Sequence, residues 1–175
     1  DGWVTRFIEK PQSIDNNLVV VGCYYFKDSQ KVLAAIEEQM QRGIMLKGEY
    51  FLTDTITVMI EDGAKVRTEE ISTWLDTGTI EATLETNKIL LERGAANITK
   101  DETRENVKII APSFVDPSAE ITDAVIGPHA SIGANCKISQ AVIQESIVDE
   151  GTEIKHTTLV NSLIGSNCYV EGQPN

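Results

Sequence analysis

The chain has 175 residues, 41% of them hydrophobic, which is enough for one domain or two small ones with a real core. Its formal charge of -12, with no cluster of Lys or Arg in either half, speaks against nucleic acid or an anionic membrane as a partner. Cys23, Cys136 and Cys168 lie far apart with no C-x-x-C pair or nearby His, so no zinc site is expected; the cytoplasm is the expected compartment, and no stretch nears the about 18 apolar residues of a membrane span.

From the N-terminus the chain alternates strand-like and helix-like segments, the pattern of α/β architecture. Trp3 to Ile8 and Leu18 to Phe26 read as strands, the second a nearly unbroken apolar run of the kind buried on both faces. Asp28 or Ser29 can cap a helix with Val32, Leu33, Ile36 and Met40 on one stripe, ending at Gly43. A second helix is predicted over Leu52 to Glu61, stopping near Gly63, with Thr53 and Asp54 as its capping residues. Lys65 to Ile71 reads as a strand, and Thr79 caps a third helix running through Ala82, Leu84, Ile89 and Leu90 to Gly94.

Residues 1–94 therefore read as one α/β part, and residues 95–106, polar and without period, as a linker. Over residues 107–175 the rule changes. Ile109, Val115, Ile121, Ile126, Ile132, Ile138, Ile143, Val148, Ile154, Leu159, Ile164 and Val170 recur every five or six residues, a spacing that neither a helix nor a hairpin produces. A parallel β-helix requires it, with one short strand and one corner per face and three faces per coil. The aliphatic residues then stack one coil apart, Ile121 above Ile138 above Ile154 above Val170, and Gly127, Gly133 and Gly165 fall at corners where a Cβ would be disfavoured.

Four clusters carry candidate chemistry. Glu9-Lys10-Pro11 can present opposite charges at a strand end, Lys10 as a point charge for a phosphate and Glu9 as an acceptor for sugar hydroxyls, although such a tripeptide is more often a solvated surface pair. Gly22 would let a ligand approach the backbone, and Tyr24 offers a hydroxyl. Lys47-Gly48-Glu49 precedes a helix start and supplies a second positive charge. In Trp74-Leu75-Asp76-Thr77-Gly78-Thr79, Asp76 sits on the tight connection into a capped helix, where a carboxylate can hold Mg²⁺ when phosphates supply the other oxygens; alone, Asp76 could be a turn residue and Trp74 packing.

In sequence and order, EKP, the apolar strand into G-x-Y-x-F, GEYFLTD and WLDTGT resemble the sugar-1-phosphate nucleotidylyltransferases, in a long form with a C-terminal left-handed β-helix of hexapeptide repeats. The resemblance implies transfer of a nucleotidyl group from a nucleoside triphosphate to a sugar 1-phosphate, with Mg²⁺ present and pyrophosphate released. Carried onto matching positions, it gives Glu9 and Tyr24 to the sugar, with Gly22 lining the pocket and Glu49 and Trp74 in support. Lys10, and less firmly Lys47, go to the phosphate, and Asp76 to the metal. The family's glycine-rich G-x-G-T-R-L type loop and first-half aspartate have no counterpart here. The chain is thus expected to be the later part of a larger enzyme, without activity alone.

Two other readings stay open. The β-helix could serve as a homo-oligomer interface, with flat faces and an open last coil, and be the chain's only activity. Acyl transfer, the chemistry of many hexapeptide-repeat proteins, would need His129 or His156, both expected at exposed coil positions without a carboxylate partner.

Overall fold

A computed structural model describes residues 2–8 and 18–172. Its contacts divide the chain into two compact units, Asp1–Trp74 and Leu75–Asn175.

The first unit is built on two packed helices, α1 (Ser29–Arg42) and α2 (Leu52–Glu61). Asp28 caps α1 by accepting from the amides of Gln30 and Lys31, and Gly43 closes it in the left-handed region at φ 66°. Helix α2 starts from Phe51 with no side-chain cap. Thr53 and Asp54 lie inside its first turn, Thr53 buried, which corrects their predicted place at the cap. The buried face of α1 also differs from the predicted stripe. Leu33 and Met40 are exposed, while Ala35 and Gln39 are buried beside half-buried Val32 and Ile36.

Gln39 explains that rotation. Its Nε2 donates to the carbonyls of Ile44 and Phe51, both at 3.2 Å, and its Oε1 accepts from Thr55 Oγ1 at 2.5 Å. One buried amide thus satisfies backbone groups at the end of α1 and the start of α2, and packing follows the side chain that can be satisfied. Arg42 adds an exposed bridge from Glu38 at 3.2 Å to Glu61 at 2.8 Å.

The strands predicted over Trp3 to Ile8, Leu18 to Phe26 and Lys65 to Ile71 are not strands among the described residues, although the Val4 amide donates to the Val66 carbonyl at 2.8 Å. A strand needs at least one partner segment to form a ladder, and the apolar run expected to be buried is open, with Leu18 74% and Val19 76% exposed.

The second unit opens with α3 (Ile80–Leu90), where Thr79 Oγ1 accepts from the Ala82 amide as predicted. It continues into a π-helical turn, Leu91–Ala95, with Gly94 at φ 108°. The strands follow in chain order: β1 (Glu102–Arg104), β2 (Val107–Ile109), β3 (Phe114–Val115), β4 (Glu120–Thr122), β5 (Ala124–Ile126), β6 (Ser131–Ile132), β7 (Lys137–Ser139), β8 (Val142–Gln144), β9 (Ile147–Val148), β10 (Glu153–Lys155), β11 (Thr158–Val160), β12 (Leu163–Ile164) and β13 (Tyr169–Glu171). Strands β2 to β13 form three parallel sheets, β2-β5-β8-β11, β3-β6-β9-β12 and β4-β7-β10-β13, wound as four coils. Strand β1 adds antiparallel to β2, and Ile98 bridges to Ser113 and joins the core, so residues 95–106 contribute packing to this unit.

The register is the one the aliphatic spacing predicts. Ile121, Ile138, Ile154 and Val170 pair in line, as do Ile109, Ile126, Ile143 and Leu159, and Val115, Ile132, Val148 and Ile164. Two residues before each aliphatic position lies a second inner slot, filled by Ala, Ser, Thr or Cys in every case but Val107. Small side chains suit the corner of a narrow coil, and the polar ones are satisfied there. Ser146 Oγ donates to Gln144 O at 2.6 Å, and Thr152 Oγ1 to Gly165 O at 2.8 Å.

The corner glycines differ from expectation in one respect. Gly127 has φ 91°, and a Cβ there would lie 2.2 Å from the Ile110 carbonyl oxygen. Gly133 is outside the left-handed region; a Cβ there would meet the Glu150 amide nitrogen at 2.8 Å, so close approach of the next coil selects it. At Gly165, in the last coil, a Cβ would meet nothing. The left-handed corners are held instead by Asp123, Gln140 and His156, by His129, Glu145 and Asn161, and by Asn135, Gly151 and Asn167.

Candidate functional site

Glu9 and Lys10 lie outside the described residues. Gly22, at φ 79°, bends the extended segment that leads to Tyr24. The Tyr24 and Phe26 rings stack at 6.2 Å between centroids on one side of that segment, while Tyr25, 90% exposed, points away.

Lys47 stands at the tip of a tight turn, which the sequence reading missed. Leu46 and Glu49 exchange both backbone hydrogen bonds at 3.0 Å, and the central residues Lys47 and Gly48 have φ 51° and 81°. Positive φ at both central positions is the pattern of a type I′ turn, and the signal was the glycine at the second of them. Lys47 and Glu49 are both exposed on this turn. Trp74 is 57% exposed.

Asp76 is the best defined of the predicted site residues. Its Oδ1 accepts from the amides of Thr77 at 2.8 Å and Gly78 at 3.0 Å, which fixes the carboxylate over the turn. A Cβ on Gly78 would lie 3.3 Å from Oδ1, close enough that the carboxylate would have to shift by a few tenths of an ångström. The Asp76 carbonyl accepts from Thr86 Oγ1 at 2.6 Å, and Thr83 Oγ1 reaches the Thr77 carbonyl at 3.3 Å, tying the turn to α3. An exposed carboxylate whose hydrogen bonds all fall on one oxygen fits a hard cation as a single ligand through the other. Among the described residues no group of three or more His, Cys, Asp and Glu could hold a metal by itself.

His129, expected at an exposed position without a carboxylate, has both burial and a partner. Its side chain is 15% exposed, and Nε2 lies 3.1 Å from Glu92 Oε1, while Nδ1 is buried without a hydrogen-bond partner. The contact depends on the π-helical turn that carries Glu92, and spacing along the chain could not show it. His156 is exposed and lines a groove of about 420 Å³ with Asp123, Gln140 and Thr158. A second groove, of about 360 Å³, lies between α3 and the coil, lined by Leu84, Lys88 and Glu145. Neither groove includes a residue expected to meet the sugar phosphate or the metal.

Residues 1–93 match the nucleotidyl transferase family. The chain belongs to that family. The nucleotidyl transferase match takes in the α/β part with all the predicted site residues, and residues 109–173, the coil, match the GMPPB C-terminal domain. Glucose-1-phosphate thymidylyltransferase of Streptomyces antibioticus is 31% identical over 97% of the chain and 51% of its own length. A probable mannose-1-phosphate guanyltransferase of Schizosaccharomyces pombe is 27% identical over 99% of the chain and 47% of its own length. The bifunctional protein GlmU of Methanocaldococcus jannaschii is 30% identical over 91% of the chain and 43% of its own length. The chain thus spans about half the length of the curated nucleotidyl transferase relatives it matches. No helix among the described residues is long and apolar enough to cross a membrane.

Proposed function

We propose that the full-length gene product is a sugar-1-phosphate nucleotidylyltransferase, with glucose 1-phosphate and thymidine triphosphate as its substrates, and that this chain carries the sugar-phosphate side of the site. A sugar phosphate oxygen attacks the α-phosphorus of the nucleoside triphosphate, and the bond to pyrophosphate breaks. The observation that carries the reading is the Asp76 turn inside WLDTGT, where two amides hold one carboxylate oxygen and leave the other free. Mg²⁺ bound there would offset the charge that builds on the phosphates. Lys47 brings an ammonium on a short, fixed turn, and Lys10 a second one, to neutralise the sugar phosphate. Glu9 accepts from sugar hydroxyls, Tyr24 adds a hydroxyl, and Gly22 leaves room beside it. Glu49 and Trp74 flank these groups in sequence.

Thymidine and glucose are favoured over the alternatives by two relatives named glucose-1-phosphate thymidylyltransferase, from Streptomyces antibioticus and Streptomyces griseus, each aligned over nearly the whole chain. The test is a matrix of sugar 1-phosphates against nucleoside triphosphates, read by pyrophosphate release from the full-length gene product. Highest kcat/KM for glucose 1-phosphate with thymidine triphosphate is expected. Turnover only with mannose 1-phosphate and guanosine triphosphate would replace that pair, and no turnover with any pair would reject the reaction.

A second reading, self-association through the coil, has an observation of its own. Leu159, Ile164 and Val170 in the last coil are half-buried, whereas Ile143, Val148 and Ile154 beneath them are 0–1% exposed. The outer edges of β11, β12 and β13 have no partner strand among the described residues, which suits a second copy. Sedimentation of residues 95–175, which keep Ile98 and β1, should give an oligomer, and a monomer at all concentrations would remove this role. A reducing cytoplasmic setting completes the proposal.

A further inference from the structure

Adjacent residues of α3 make hydrogen bonds to two different places in the second unit. Thr86, 8% exposed, donates to the Asp76 carbonyl at 2.6 Å. Asn87 faces the coil, where its Oδ1 accepts from Ser131 Oγ at 2.6 Å and its Nδ2 donates to the His129 carbonyl at 3.4 Å. Just past the end of α3, Glu92 meets His129 Nε2 at 3.1 Å. A chain of contacts therefore runs from the second coil, through one turn of helix, to the backbone of Asp76.

Helix α3 spans only 11 residues, a length that does not hold itself in water and takes its order from what it packs on. Thr86 is its one buried side chain, Leu84 and Ile89 are half-buried, and Asn87 supplies its hydrogen bonds to the coil. Among the described residues the loop 75–79 makes no hydrogen bond or ion pair with the coil, so its position is set by where α3 is pinned.

We propose that Thr86, Asn87 and Ser131 are positioning residues, through which the β-helix fixes the Asp76 carboxylate for the metal. The link rests on the reading of Asp76 as a metal ligand only for its consequence in catalysis; the mechanical connection is measurable without metal. It gives the coil a part in the chemistry of this unit in addition to any part in assembly.

The test uses Thr86→Val and Asn87→Ala, with Thr86→Ser to restore the hydroxyl and Ile154→Ala as a core truncation on a different face of the coil. The first readout is amide hydrogen exchange at Thr77 and Gly78, whose amides donate to Asp76. Both variants should speed it by about tenfold, the scale of one lost buried hydrogen bond. Thr86→Ser should restore it, and Ile154→Ala should lower Tm without changing it. The second readout is the Mg²⁺ concentration for half-maximal activity of the full-length gene product, which should rise several-fold in the same two variants and not in Ile154→Ala. Unchanged exchange in both variants would overturn the link, as would an equal change in Ile154→Ala. Faster exchange combined with an Mg²⁺ requirement that even Asp76→Ala leaves unmoved would reject the metal assignment and leave the link standing.

Discussion

Replacing Asp76 by Asn separates its part in the turn from the metal-binding role proposed for it. Its Oδ1 accepts two amides, at 2.8 and 3.0 Å, and an asparagine carbonyl can accept both, while Thr86 bonds the main chain in either case. The fold then loses only the charged character of two hydrogen bonds, about 1 kcal/mol, whereas Asp76→Ala loses both bonds and about 2–3 kcal/mol. At the other oxygen the outcome reverses. An amide nitrogen has no lone pair for a hard cation, so Asp76→Asn removes the ligand as completely as alanine does. A lost charge-stabilising group of this kind lowers kcat by about 10²–10³-fold. Pyrophosphate release across a Mg²⁺ titration of the full-length gene product, with thermal unfolding in parallel, reads both quantities. Near-native Tm with collapsed turnover is expected. An Asn variant within about twofold of the native enzyme at every Mg²⁺ concentration would reduce Asp76 to a turn residue and refute the reasoning.

The 175-residue chain by itself should release no pyrophosphate above an Asp76→Ala control, because phosphoryl transfer needs both reactants aligned; a coupled assay with thymidine triphosphate and glucose 1-phosphate checks this. Ile143→Ala should cost about 3–4 kcal/mol in urea unfolding, three buried carbons plus a cavity, and Leu159→Ala in the same ladder about half as much, because Leu159 lies in the half-buried last coil. Equal costs would mean that the last coil is covered in solution. Burial pushes the Cys136 thiol above its usual range. The folded state therefore keeps a proton that the unfolded chain gives up first, so stability should be level below about pH 8.5 and fall above it. A Cys136→Ala variant should lose that fall, and a thiol reagent at pH 8 should label Cys23 and Cys168 well before Cys136.

What could be read from the sequence divides by how local the cause is. The ends of α1 and α3 were legible because Asp28, Gly43 and Thr79 act within a few residues of themselves. The coil was legible because each repeat sees only its neighbours, so spacing alone sets the pairing of Ile121 with Ile138 and Ile154. The small residues two positions before each aliphatic one are equally periodic, with Val107 the exception, and carry the same repeat. The exposed Leu33 and Met40 could not be foreseen, because burial of the Gln39 amide depends on carbonyls at Ile44 and Phe51 and on a hydroxyl 16 residues away. Leu18 to Phe26 has the composition of a strand, but a ladder is a property of two segments. At the candidate site, the Asp76 turn followed from Asp-Thr-Gly-Thr, while the burial of His129 depended on a π-helical turn that no spacing rule marks.

A backbone with φ 51° at Lys47 bears a penalty of about 1–2 kcal/mol that glycine would avoid and asparagine would reduce. Lysine gains nothing in folding from that position, since its side chain is exposed. Relaxing the bend by Lys47→Gly would therefore harden the protein while discarding a cation, so under the phosphate-binding role proposed for Lys47, thermal robustness and ligand affinity pull this one codon in opposite directions.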